Sequence, residues 1–309
     1  MQMPSTGSVI VILGTGGTIS ARADSPDENV RYRAGEVGVA ALATALPQAR
    51  GITIETEQVS QIDSKDMDFA IWRRLAERVS WHVARPEVRA VVITHGTDTL
   101  EETAWFLQRV LAPAKPVVLT GAMRPASSTE SDGPANLAEA MAVAAARSRG
   151  GVVVSFAGSV HGARAVRKVH PTRLDPFAGG DVEAGSDEAI GMIALPVEPW
   201  PWPFVAIVSS TAAADVRSVE ALVDAGVHGI VVATTGNGTV HHALEAALET
   251  AAASGVVILR ATRCLEGAIV DGRVAGRDDL PSAGDLSPQK ARVELIVGLL
   301  ERWIRRRRA

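Results

Sequence analysis

Short β-branched runs alternate with longer stretches of helical period along this chain, and that alternation restricts the fold more than any other feature. The runs are 8–13 (SVIVIL), 52–59 (ITIETEQV), 89–94 (RAVVIT), 116–120 (PVVLT) and 151–156 (GVVVSF). A second set follows at 204–209 (FVAIVS), 229–234 (GIVVAT) and 255–260 (GVVILR). Several lack polar alternation, as strands buried on both faces of a parallel sheet do. Between them the spacing predicts helices near 36–46, 67–80, 99–111, 134–148, 216–225, 240–253 and 288–306. Leu100, Ala104, Leu107 and Leu111 mark one face of the third, and Ser287 followed by Pro288 starts the last as N-cap and N1. The pattern predicts an α/β fold.

A length of 309 residues, at roughly 150 per domain, implies two domains. Gly179-Gly180 opens a polar, acidic, strand-poor region, and Pro196–Pro203 holds four prolines and two tryptophans, which is unsuited to a sheet interior. The expected division is an N-terminal α/β domain at 1–186 with a mostly parallel sheet, a proline-rich linker at 187–203 and a smaller α/β domain at 204–309. Trp200 and Trp202 either pack between the domains or form a hydrophobic surface turn.

Composition narrows the class. Apolar residues at 47% and charged residues at 21% exclude a fibrous or wholly disordered chain. The net charge of −4 gives no general basis for binding nucleic acid, and the basic run Arg305–Arg308 reads as a solvated helix end. Cys264 is the single cysteine, so neither an intrachain disulfide nor a cysteine-rich zinc site can form. The run Val9–Leu13 lacks a basic flank and a cleavage pattern, and the alanine-rich stretches are interrupted by charge. A cytoplasmic protein without a membrane segment is expected.

Three strand ends carry clusters of Gly, Thr, Asp and Asn, where open parallel sheets place their ligands. The first is Gly14-Thr15-Gly16-Gly17-Thr18. It begins like a dinucleotide fingerprint but has Ile19 at the sixth position and no long apolar helix after it, which weakens that reading. The second is Thr94-His95-Gly96-Thr97-Asp98-Thr99. Asp98 with Glu101 has the spacing of a capping box, and His95 is either a base or a hydrogen-bonded core residue. The third is Thr234-Thr235-Gly236-Asn237-Gly238, in which Asn237 either occupies a left-handed turn position or presents its amide to a ligand. Lysines number only four (Lys65, Lys115, Lys168 and Lys290), and lysine, unlike arginine, serves as a base when desolvated. Lys168 is either a surface or structural charge or the partner of a threonine hydroxyl, for which it is the best candidate.

At these residues the chain resembles the bacterial-type L-asparaginases along almost its whole length. The resemblance rests on Thr15–Ile19, Tyr32 with Gly35 and Val37–Val39, Ser64–Met67, the tract Ile93–Thr103, Gly121–Pro125, Asp132–Pro134 with Asn136, Arg164–Lys168, Gly236–Gly238 and Ser287–Arg292. It implies hydrolysis of L-asparagine to L-aspartate and ammonia through an acyl-enzyme. Thr18 would be the nucleophile, and Tyr32 would orient or activate it from a mobile lid at about 20–33. Thr97, Asp98 and Lys168 would complete the catalytic set. Ser64, Thr97 and Asp98 would bind substrate, and a neighbouring subunit would supply Asn237 to each site. A homodimer assembled into a homotetramer is implied, with no metal or organic cofactor.

Two departures bear on selectivity. Lys65 stands where many broad-specificity relatives have glutamine, and its ammonium either meets a substrate carboxylate or points to solvent. The stretch between Gly267 and Pro288 lacks a clear equivalent of the glutamate that some relatives donate across subunits; Asp271, Asp278, Asp279 and Asp285 are the acidic residues present. Two other functions are consistent with the residues. One is an amidase acting on glutamine or on an amide carried by a larger partner, and the other is a noncatalytic nucleotide-binding α/β protein.

Overall fold

The computed structural model describes residues 8–46, 51–179, 201–270 and 280–308. It divides into two compact units, Met1–Leu195 and Pro196–Ala309. Both are α/β, and the second is smaller. Most of the expected linker lies outside the described residues.

In the first unit the strands are β1 (Val9–Gly16), β2 (Arg22–Ala23), β3 (Tyr32–Arg33), β4 (Thr53–Ile62), β5 (Val88–Thr94), β6 (Pro116–Thr120), β7 (Gly151–Phe156), β8 (Ser159–Gly162), β9 (Arg167–Lys168) and β10 (Phe177–Ala178). The helices are α1 (Val39–Thr44), α2 (Phe69–Ala84), α3 (Leu100–Leu111) and α4 (Gly133–Ala146). The main sheet runs β4-β1-β5-β6-β7-β8, parallel except for the last pair. Every residue of β1 is buried, as a central strand covered on both faces requires. Ile10, Ile12, Ala90, Val92, Val118 and Val153 point to one face, where Val39 of α1 and Leu137, Ala140 and Ala144 of α4 meet them. The stacked rings of Trp72 and Phe106 join α2 to α3, and no side chain of either helix enters that cluster, so they cover the opposite face. The steps β5 to β6 and β6 to β7 go the same way across the sheet with helices on opposite faces. Their crossovers therefore differ in hand, and one departs from the right-handed rule.

The second unit is a parallel sheet of β11 (Val205–Ser209), β12 (Gly229–Thr234) and β13 (Val257–Thr262), in that order. Helices α5 (Arg217–Asp224) and α6 (His242–Ala253) bury Val219, Leu244 and Leu248 against Val208, Ile230 and Val232. Helix α7 (Pro288–Arg308) packs on all three strands. Ser287 Oγ accepts from the Lys290 amide at 3.3 Å, the bond of an N-cap.

The differences from the sequence expectations have local causes. Helix α1 starts late because the amides of Glu36 and Val37 both donate to Ser20 O. The final strand starts two residues late because Gly255, at φ 95°, and Val256 still close the end of α6. Strand β8 and the paired ladders β2–β3 and β9–β10 are too short to leave a hydrophobic period. No helix among the described residues is long and apolar enough to cross a membrane.

Candidate active site

From β1 the chain moves outward to β4, whereas from β5 it moves the other way to β6. The carboxyl ends of β1 and β5 thus flank the topological switch point, the usual ligand crevice of an open α/β sheet. The first two sequence clusters sit there. A Cβ at Gly17, whose φ is 79°, would lie 2.3 Å from the backbone of Gly96. No side chain fits between these loops, and the close approach brings the following residues, Thr18 and Thr97, to one end of the sheet. Thr15 Oγ1 donates to Thr94 O at 2.9 Å and ties the two strand ends together.

Thr18 opens a single 3₁₀ turn, Thr18–Ser20, and is buried. Its Oγ1 lies 3.0 Å from Tyr32 Oη. Tyr32 reaches it from the β2–β3 hairpin, in which Ala23 pairs with Tyr32 and Arg22 with Arg33. The segment expected to form a lid thus places Tyr32 on Thr18.

The second group gathers around Lys168, which β9 positions. Its Nζ donates to Thr97 Oγ1 at 2.8 Å and to Asp98 Oδ1 at 2.6 Å. Thr97 is buried, whereas the Asp98 side chain is 57% exposed and open to a ligand. The capping box expected of Asp98 and Glu101 is not formed. The N-cap of α3 is Thr99, whose hydroxyl donates to Ser64 O at 2.8 Å, and Glu101 instead accepts the Lys168 amide at 2.5 Å. Glu101 thus holds the backbone of Lys168, a tertiary contact that its capping-box spacing in the sequence did not signal. Buried Ser64 lies against Gly96, where a Cβ would be 2.4 Å from its hydroxyl.

His95 is a core residue: Nδ1 faces Gly96 O at 2.7 Å and Nε2 faces Thr103 Oγ1 at 3.0 Å. Facing a carbonyl, Nδ1 carries the proton, so Nε2 accepts from Thr103, whose oxygen in turn accepts from Trp72 Nε1 at 2.9 Å. Burial pushes the imidazole pKa down to about 4, against which the Gly96 hydrogen bond acts in the other direction. Lys65 is exposed and turned onto its own loop, 2.8 Å from Asp66 and 3.2 Å from Asp63, whose hydrogen bonds raise its pKa.

Asn237 belongs to the second unit, where its Nδ2 donates to Val270 O at 2.9 Å and its Oδ1 accepts from Val270 N at 2.8 Å. The left-handed positions of this turn are Gly236 (φ 49°) and Gly238 (φ 79°), which corrects the reading of Asn237 itself as the left-handed residue. Its amide clamps the loop that follows β13. Among the described residues no cluster of His, Cys, Asp and Glu could hold a metal ion.

Comparison with known proteins bears on both units. Residues 9–187 match the family model described as "Asparaginase, N-terminal", and residues 204–305 match "Glutaminase/Asparaginase C-terminal domain". The chain is 38% identical to the probable periplasmic L-asparaginase of Haemophilus influenzae, over 94% of this chain and 88% of that protein. It is 37% identical to L-asparaginase 2 of Escherichia coli, over 94% and 89% respectively. The crystal structure of a probable cytoplasmic L-asparaginase from Campylobacter jejuni superposes with a TM-score of 0.84 at 36% identity, covering 94% of this chain and 95% of that one.

Proposed function

The chain belongs to the bacterial-type L-asparaginase family, and from that membership we propose that it hydrolyses L-asparagine to L-aspartate and ammonia with Thr18 as nucleophile. The observation that carries the reading is the pair of hydroxyls at one switch point, each with its own proton-handling partner: Thr18 with Tyr32, and Thr97 with Lys168 and Asp98. A threonine hydroxyl is too weakly acidic to attack an amide unaided, so such partners are what the reaction needs.

Thr18 Oγ1 attacks the carboxamide carbon while its proton is relayed through the Tyr32 hydroxyl, which gives up its own proton as it accepts this one. Backbone N–H groups beside Thr97 stabilise the oxyanion, and the proton is returned to the departing nitrogen, which leaves as ammonia. Water then cleaves the Thr18 ester and restores the hydroxyl. Lys168 Nζ, within proton-transfer reach of Thr97 Oγ1, supports the water step through that hydroxyl. Asp98, held by Lys168 yet exposed, takes the substrate's α-ammonium, and Ser64 takes its α-carboxylate. Asn237 acts from a neighbouring subunit through the loop it clamps, in a homodimer assembled into a homotetramer.

The test is ammonia release from asparagine and from glutamine, with Thr18→Ala as the control. Substitution of the nucleophile is expected to lower turnover by at least about a thousandfold in a folded protein. A reactive asparagine analogue should leave its adduct on Thr18; an adduct on Thr97 reverses the assignment. One substrate methylene is worth about 1–3 kcal/mol, so the preference for asparagine over glutamine is expected to be one of degree.

A further inference from the structure

Tyr32 is carried by a hairpin that has little to hold itself in place. The β2–β3 ladder is two residues long, well short of independent stability. Its cross-strand ion pair, Arg33 with Asp24 at 3.1 Å, is exposed on both sides and contributes little. At its base Glu36 and Val37 donate to Ser20 O at 2.8 Å and Arg33 meets Glu36 at 2.6 Å, while the contacts that hold its strand pair to the rest of the unit come from elsewhere. Ala23, the ladder partner of Tyr32, sends its N–H to Ser127 Oγ at 2.9 Å, and the Thr129 amide donates to Pro26 O at 3.2 Å.

The loop that receives these bonds is stiff and anchored beside the site. The Ser128 amide closes a turn onto Pro125 O at 2.9 Å, and Arg124 pairs with Glu130 at 3.0 Å. Asp132 accepts the amides of Met123 and Arg124, each at 2.9 Å, and Asn136 Nδ2 at 3.1 Å. Asn136 Nδ2 also donates to Gly121 O at 3.0 Å, and a Cβ on Gly121 would stand 3.5 Å from Thr97 Cγ2. One rigid loop thus abuts Thr97 at its start and grips the Tyr32 hairpin at Ser127.

We propose that Ser127 is a positioning residue for the proposed amide hydrolysis, a latch that holds the Ala23–Tyr32 pair closed so that Tyr32 Oη stays on Thr18. The inference rests on the functional reading above for its kinetic consequence, but not for the latch itself.

Ser127→Ala removes the acceptor, Ser127→Thr keeps it, and Tyr32→Phe removes the group being positioned. Hydrogen exchange of peptides covering 20–33, without ligand, should quicken by about tenfold in Ser127→Ala, the scale of one lost neutral hydrogen bond, and return towards wild type in Ser127→Thr. With asparagine, Ser127→Ala should lower kcat about five- to tenfold in the Tyr32 background but less than about twofold in the Tyr32→Phe background, because the latch works through Tyr32. Unchanged exchange in Ser127→Ala, failure of threonine to restore it, or equal kcat losses in both backgrounds overturns the latch. A wild-type protein that releases no ammonia from asparagine defeats the functional reading instead, and exchange alone then decides the latch.

Discussion

Lys168 Nζ touches the Thr97 hydroxyl and the Asp98 carboxylate together, while Glu101 fixes its main chain. A role in moving a proton and a role as a fixed positive charge make different demands on this side chain. Arginine keeps the charge but does not lose its proton, and its planar fork does not fit a site built for a compact ammonium. Lys168→Arg and Lys168→Met should therefore both lose activity by about a hundredfold or more, the range of general acid–base catalysis. Near-normal turnover in either folded variant excludes proton transfer by Lys168, and substantial rescue by arginine alone assigns it an electrostatic part. Lys65 needs no such role, since Asp63 and Asp66 already face its ammonium.

Between elements, the chain Trp72–Thr103–His95–Gly96 binds α2 and α3 to the loop that presents Thr97. Its histidine gives a pH signature. The folded pKa of about 4 lies below the ordinary 6.5, so the unfolded chain binds a proton that the folded chain refuses between those values. The contribution is fully present above pH 6.5, declines as pH falls and is gone below about 4, amounting to about 3 kcal/mol from this shift. Urea midpoints should drop from pH 6.5 to 4.5 in wild type and drop less in His95→Gln, whatever the variant's absolute stability. Equal slopes defeat the assignment. The network was only half legible in the sequence. The buried runs and the Gly/Thr clusters at strand ends marked the sheet and the switch point, because burial on both faces and tight turns leave local traces. That Glu101 holds Lys168, or that Ser127 holds Ala23, left none, since those partners are 67 and 104 residues apart and meet only through the sheet. At Asp98 the local spacing also fits a cap, but a tertiary ion pair with Lys168 claims the carboxylate.

At the scale of the whole molecule, the second unit bears on catalysis only if it completes a site, and in the proposed assembly that site belongs to a neighbouring subunit. Two units can enclose a small polar substrate more fully than one sheet edge, and two-fold symmetry repeats the arrangement on both partners. Asn237 is the residue through which to test this, because both ends of its amide hold Val270 and its loss should loosen the loop after β13 without disturbing the strands. Thr18→Ala and Asn237→Ala subunits, each impaired alone, are to be dissociated, mixed and reassembled. If each site draws Thr18 from one subunit and the Asn237 loop from the other, a mixed dimer holds one doubly defective site and one intact site. Random pairing makes about half of the dimers mixed, so the mixture should recover about a quarter of wild-type turnover. Verified mixed oligomers with no gain over their parents, or a fully active monomer, place the Asn237 loop outside the shared site.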